Sequence, residues 1–189
     1  MGTGNFSVEC WYYPTSAARQ VIVSQSNGAG TTFSFWMEKN PSNQLRVLAT
    51  VGGVQYTAVA TATMNLYSWN FLQLVRNGTT LYGYQNGVEV CSVAVGSGSV
   101  LDSTDNVTIG EFGAGSGLPV VGYISDVRIL KGIASTATIP TAPLTAITNT
   151  SLLLNYTNGA IFDNAAVADY ETVGNAQIST SVKLSLIHI

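Results

Sequence analysis

The stretch L-Y-S-W-N-F-L-Q-L-V-R-N-G-T-T-L-Y-G-Y-Q-N-G-V-E-V-C-S-V-A-V, Leu66 to Val95, decides the fold class. Three runs of apolar, β-branched and aromatic residues are separated by Asn77-Gly78 and Asn86-Gly87. Asn-Gly readily takes the positive φ angles of a tight type I′ turn, so the stretch predicts a three-stranded antiparallel meander.

Outward from the meander the same texture continues. Phe6, Val8, Cys10 and Tyr12 alternate with Ser7, Glu9, Trp11 and Tyr13 before Pro14, which predicts a strand with one apolar face. Val21–Gln25 reads as a shorter strand ended by Asn27-Gly28. Thr32–Glu38 sets Phe33, Phe35 and Met37 against Ser34, Trp36 and Glu38. Leu45–Val51 and Val54–Thr61 flank Gly52-Gly53, another hairpin signal. Val107–Gly110 and Val121–Leu130 follow, then a Pro-bearing connector at Ile139–Leu144 and one more strand at Ser151–Tyr156. Short strands between turn residues, with no sustained helical period, predict an all-β, antiparallel two-sheet sandwich.

Composition agrees and narrows the function. A chain of 189 residues can bury a full core without staples. Only 9% of residues are charged while 46% are hydrophobic and 19 are Gly, a balance that suits hydroxyl- and amide-faced strands better than helices. The net charge of −3 leaves no basic stripe, so no nucleic-acid partner is expected. No run reaches the ~18 apolar residues of a membrane helix, and no export signal follows Met1. Two cysteines are too few for a disulfide scaffold; Cys10 and Cys91 read either as buried thiols or as a single bridge.

Several of these segments resemble laminin-G-like modules of the concanavalin A-like jelly-roll superfamily, as strung along bacteriophage tail-fibre and virion proteins. The opening F-S-V-E-C-W-Y-Y-P-T from Phe6 is similar to their first well-marked strand. Tyr67-Ser-Trp69 with L-Q-L-V-R-N-G (Leu72–Gly78) is similar to the central one, and Leu81–Val88 to the hairpin after it. V-T-I-G (Val107–Gly110) and G-Y-I-S-D-V-R-I-L-K-G (Gly122–Gly132) are similar to the closing strands. The resemblance runs from Gly4 to Thr148 and implies a jelly-roll sandwich with a binding role, in a virion or extracellular setting.

It also implies a domain plan. Residues 1–148 are expected to form one module lacking its first strands. Residues 149–183, with S-L-L-L-N-Y and V-G-N-A-Q-I-S-T-S-V-K, resemble the opening of such a module. They read either as the start of a following repeat or as a permuted closing strand packed beside Gly122–Leu130. The last six residues, L-S-L-I-H-I at 184–189, read as a translated sequencing adapter, so His188, the one histidine, enters no functional reading.

The candidate sites follow. Some glucanases of the superfamily use carboxylates in an E-x-D-x-(x)-E pattern, and retention needs two carboxyls about 5 Å apart. The acidic residues here are scattered, and Asp169-Tyr-Glu171 is the nearest approach, so no catalysis is expected. Gly113-Ala-Gly-Ser-Gly117 lacks the helix and Lys of a phosphate loop and reads as an inter-strand loop. Asp102 and Asp105 could ligate calcium at a sandwich rim, as the resemblance implies, or could cap turns through their own backbone. No other cofactor is expected. Trp36 on a polar-looking strand face, Arg46 opposite core-facing Leu45 and Val47, and the Tyr82/Tyr84 pair across Gly83 are the candidate ligand contacts. Sugars stack C–H faces on such rings and bond amides and guanidinium groups, although each ring could equally serve burial. Asp126 and Arg128 read as a same-face ion pair. The expected role is adhesion to surface glycans, with a structural spacer contacting only neighbouring repeats as the alternative.

Overall fold

A computed structural model describes residues 1–113 and 117–155. Its strands are β1 (Phe6–Pro14), β2 (Gln20–Ser26), β3 (Phe33–Lys39), β4 (Gln44–Val51), β5 (Val54–Thr63), β6 (Asn70–Asn77), β7 (Thr80–Gln85), β8 (Val88–Ala94), β9 (Val107–Ile109), β10 (Gly122–Lys131) and β11 (Thr150–Leu154). They form two antiparallel sheets, β11-β10-β1-β6-β7-β8 and β5-β4-β3-β2-β9, stacked as a jelly-roll sandwich. Among the described residues there is no helix.

The meander forms where expected, with one turn of a different type. Asn86 and Gly87 take φ of 51° and 76°, the two positive angles of a type I′ turn closing Gln85 against Val88. In the preceding turn Asn77 pairs with Thr80, so the loop residues are Gly78 and Thr79. Positive φ falls there on Gly78 alone, at 59°, the pattern of a II′ turn with glycine leading.

The inward residues of both sheets meet in one core. Phe6, Val8, Cys10 and Tyr12 from β1 pack with Phe35 and Met37 from β3 and with Leu45, Val47 and Ala49 from β4. Gly83 marks the tightest approach: a Cβ there would lie 2.6 Å from Cys91 Sγ and 3.3 Å from Leu45. Both cysteines are free thiols, and burial pushes each thiol's pKa up, Cys91 to about 11. Phe33 departs from the expected alternation. A register shift between Gln25 and Ser26 turns it to the outer cluster with Val21 and Trp36.

β1 is not a strand with one solvent face. Ser7, Glu9 and Trp11 are buried too, because the connector after β10 returns as a strap over the first sheet. Ser7 Oγ donates to Ile133 O (2.9 Å) and accepts from Ser135 N–H (2.8 Å). Gln73 Nε2 donates to Thr136 O and Ser135 Oγ, both at 3.0 Å. Leu144 then seats against Trp11, Phe71 and Leu153. The strand at 150–154 lies beside β10 in antiparallel register, Leu153 opposite Arg128.

The expected Asp126–Arg128 pair does not form. Arg128 instead grips Glu9 across the strand pair, Nη2 to Oε1 at 2.8 Å. The cause is a bulge opposite Glu9–Trp11, where Asp126 takes a φ of 51° and accepts the Leu144 N–H at 3.2 Å. Asp126 is thus the strap's anchor. Arg76 plays the same part at the other end of the sheet. Its fully buried guanidinium donates to the carbonyls of Gly2, Gly78, Gly96 and Gly98, the last at 2.7 Å.

Removing that guanidinium takes a donor from four carbonyls, of which Gly2 O keeps the Val100 N–H at 2.9 Å, so Arg76→Met is expected to cost at least about 2 kcal/mol, read as a lower urea midpoint. The second prediction concerns pH. Burial pushes the Asp126 carboxyl up to about 6, against the lowering effects of the Leu144 N–H, Ser125 and Arg128. The folded chain then holds the proton more tightly than the unfolded one, so this group's contribution to stability falls as pH rises through the window up to about 6. Asp126→Asn keeps the acceptor and tolerates the positive φ. Its melting temperature should exceed that of the parent at pH 8, with the gap closing near pH 4 (approximate bounds set by the folded and unfolded pKa values).

Candidate functional site

The expected ligand contacts are divided between the two outer faces. Ser34, Trp36 and Glu38 point out of β3, and Arg46 and Leu48 point out of β4 beside them. Trp36 does not present its ring to solvent. It is 5% exposed, covered by Phe112 at 4.2 Å between centroids and edged by Phe33 at 5.6 Å. Two guanidinium groups lie over it, Arg19 at 5.2 Å and Arg46 at 5.5 Å from the ring centroid. The alternating pattern gave the correct face for Trp36. What it could not show is that the segment carrying Phe112 folds back over that face.

Glu38 is the hub of this group. Its carboxylate is fully buried; Arg19 holds Oε2 through Nε at 3.0 Å and Nη2 at 2.9 Å. Arg46 Nε lies 2.7 Å from Oε1, an ion-pair contact without hydrogen-bond alignment. Arg19 was not singled out from the sequence, since it sits in the loop before β2 with no periodicity to assign its face.

Tyr82 and Tyr84 stand on the opposite side of the molecule, on the outer face of the first sheet. Their rings are nearly parallel, 22° apart with centroids 5.9 Å from each other, and each is half-buried. Tyr82 is in register with Val75 and Ser92, Tyr84 with Gln73 and Glu89. The strap reaches Gln73 but leaves Ser92 and Glu89 exposed, so the rings form a ledge between the strap and the sheet edge. Burial, then Glu89 and Tyr82, raise the Tyr84 phenol pKa, which keeps its hydroxyl a donor. A further half-buried set, Tyr13, Trp69 and Tyr123, meets edge-on at 5.5 and 5.8 Å on the same sheet. Its members come from separate segments, which is why local patterning does not reveal it.

The Asp102–Asp105 loop is built as a turn. Ser103 Oγ donates to Asp105 Oδ2 at 2.5 Å and accepts the Asp105 N–H at 3.1 Å. The carbonyls of Ser103 and Asp105, the natural partners for a cation, are taken by Gln25 Nε2. Asp102 is exposed. Two carboxylates, one already bonded within the loop, fall well short of the ~6–8 oxygens calcium takes, so the donor set does not fit that ion. Three buried acidic groups are committed elsewhere: Glu9 to Arg128, Glu38 to two arginines, Asp126 to the strap. Most of the Gly113–Gly117 loop and all of Asp169-Tyr-Glu171 lie outside the described residues.

Comparison with known proteins agrees with this architecture. The family model described as the concanavalin A-like lectin/glucanases superfamily matches residues 1–140. No curated protein sequence matches the chain. Among solved structures, a Bacteroides ovatus protein described provisionally as carbohydrate-binding superposes with a TM-score of 0.66 at 17% identity. That match covers 87% of this chain, which spans half the length of that protein. The CBM40 of a Ruminococcus gnavus sialidase, solved with α2,3-sialyllactose, gives 0.57 at 20% identity over 67% of this chain and 75% of its own. Domain 4 of AbnA, a GH43 extracellular arabinanase from Geobacillus stearothermophilus solved with arabinotriose, gives 0.52 at 16% identity, covering 71% and 63%. At such identities the likeness is one of fold.

The burial of Trp36 makes it a structural residue first. Trp36→Ala should cost about 3–5 kcal/mol, read by urea denaturation, because Phe112, Phe33 and both arginine stems lose their common surface.

Proposed function

This chain belongs to the concanavalin A-like lectin/glucanases superfamily, and we propose that it is a non-catalytic glycan-binding adhesion module. The observation that carries the reading is the Tyr82–Tyr84 ledge: two half-buried rings held nearly parallel, with centroids 5.9 Å apart, beside exposed Glu89 and Ser92. The accessible surface of the parallel rings offers apolar contact to the C–H face of a sugar, and the flanking carboxylate and hydroxyl can bond its ring hydroxyls. Gly83 between them, drawn hard against Cys91 and Leu45, fixes the spacing of the pair from behind.

The sialyllactose and arabinotriose solved with the Ruminococcus and Geobacillus domains, and the provisional description of the Bacteroides protein, support the same ligand class. The proposed setting is a virion or extracellular protein carrying repeated modules, as in bacteriophage tail fibres. A single shallow ledge of this kind binds at about millimolar strength, roughly −4 kcal/mol. Repetition in a fibre then multiplies it through effective concentration.

A glycan array probed with the multimerised full chain tests the reading. Binding to a defined set of glycans is expected, weakened at least tenfold by Tyr82→Ala and by Tyr84→Ala with far-UV dichroism unchanged. An array silent even to the multimer would instead favour a spacer that contacts only its neighbouring repeats. Binding indifferent to both substitutions would move the site elsewhere.

A further inference from the structure

We propose that Arg19 and Arg46 form a second site, on the face opposite the tyrosine ledge, that seats the carboxylate or sulfate of an acidic sugar. The charge count is the starting point. Two guanidinium groups share the single carboxylate of Glu38, leaving one positive charge in excess. Lys39, one residue on from Glu38, adds no accessible donor: it is buried and its Nζ is spent on Ala18 O and Asn43 Oδ1. The chain as a whole carries a net charge of −3, so this concentration of positive charge runs against its average. Elsewhere among the described residues the arginines are spent, Arg76 on backbone carbonyls and Arg128 on Glu9 and Thr145 O.

Geometry makes the excess charge usable. Glu38 engages Arg19 only through Nε and Nη2, and Arg46 only through Nε. The remaining guanidinium N–H groups have no partner among the described residues, and the two side chains are 31% and 27% exposed. Both planes lie over the Trp36 ring, and their inner edges are tied to a carboxylate with no exposure at all. The outer donors are therefore oriented before any ligand arrives, which lowers the ordering cost that usually weakens surface ion pairs. A planar carboxylate or a sulfate matches such a fork, whereas a neutral hydroxyl uses little of it. Next to Arg46 on the neighbouring strand, Val59 is 44% exposed and Thr57 is exposed, a floor and a hydroxyl for the sugar that carries the anion. The buried Trp36 Nε1–H, without a partner among the described residues, reports on this spot.

The sugar part of this ligand rests on the glycan-binding reading, while the anion seat rests on the arginines alone. The test is a titration of the labelled full chain with methyl glucuronide, methyl glucoside and inorganic sulfate, following the Trp36 indole resonance. Methyl glucuronide should bind at least tenfold more tightly than methyl glucoside. Arg46→Gln and Arg19→Gln, each of which leaves Glu38 one partner, should abolish that preference, and Arg46→Lys should restore part of it. If either variant fails to fold, the unaltered chain still decides. Raising the salt from about 50 to about 500 mM should weaken glucuronide binding and leave glucoside binding as it was. Equal affinity for the two glycosides, indifference to both arginine substitutions, or inorganic sulfate binding as tightly as the glucuronide would overturn the proposal. The two sites fail separately: a silent array of neutral glycans counts against the tyrosine ledge only, and loss of anion preference counts against the arginine seat only.

Discussion

The close stacking of two apolar sheet faces is the constraint from which the rest follows. The inner side chains of β1, β6 and β10 on one sheet and of β3 and β4 on the other make one continuous dry layer. Burial of this kind stabilises by roughly 25 cal/mol per Å² of apolar surface, and it leaves little room for adjustment. Gly83 shows how little, since a single added carbon would collide with Cys91. Because the inner faces are committed, every polar or reactive feature is pushed to the two outer faces and the loops.

The outer faces are not equivalent. On the first sheet, the strap of residues 133–149 covers Ser7, Glu9, Trp11, Phe71 and Gln73. It converts what would be a solvated surface into a second, smaller core, with Leu144 as its plug and Asp126 as its anchor. On the second sheet, Phe112 does the corresponding work over Trp36. In each case a loop that looks unremarkable by composition removes aromatic surface from solvent. Among what remains accessible are a ledge of two tyrosines on one side and two arginine forks on the other.

Buried charge is handled consistently. Glu9 and Glu38 sit on central strands with almost no exposure, and each is met by arginine. Arg76 has no carboxylate and is met by four carbonyls instead. An unpaired charge in these positions would be strongly destabilising, so the pairings act as registers for the strands they link. Glu9 joins β1 to β10 through Arg128, and Glu38 joins β3 to β4 through Arg46.

Strand periodicity was enough, from the chain alone, to place the meander, the Asn86-Gly87 and Gly52-Gly53 turns and the antiparallel two-sheet sandwich, because side chains alternate with a period of two and turns demand particular residues. It also put Trp36 with Ser34 and Glu38, Arg46 opposite Leu45 and Val47, and Tyr82 with Tyr84, each on a face of its own strand; that Trp36 and Arg46 share one sheet face came from the strand pairing. It could not tell a solvated face from a covered one, since that depends on where distant loops return. Hence Trp36, read either as a ligand contact or as a buried ring, is buried under Phe112, and Arg128, read as the partner of Asp126, belongs to Glu9 because a bulge turns Asp126 toward the strap. Local order is written in neighbouring residues; long-range contact, with 70 to 130 positions between partners such as Glu9 and Arg128, is decided only when the sheets close.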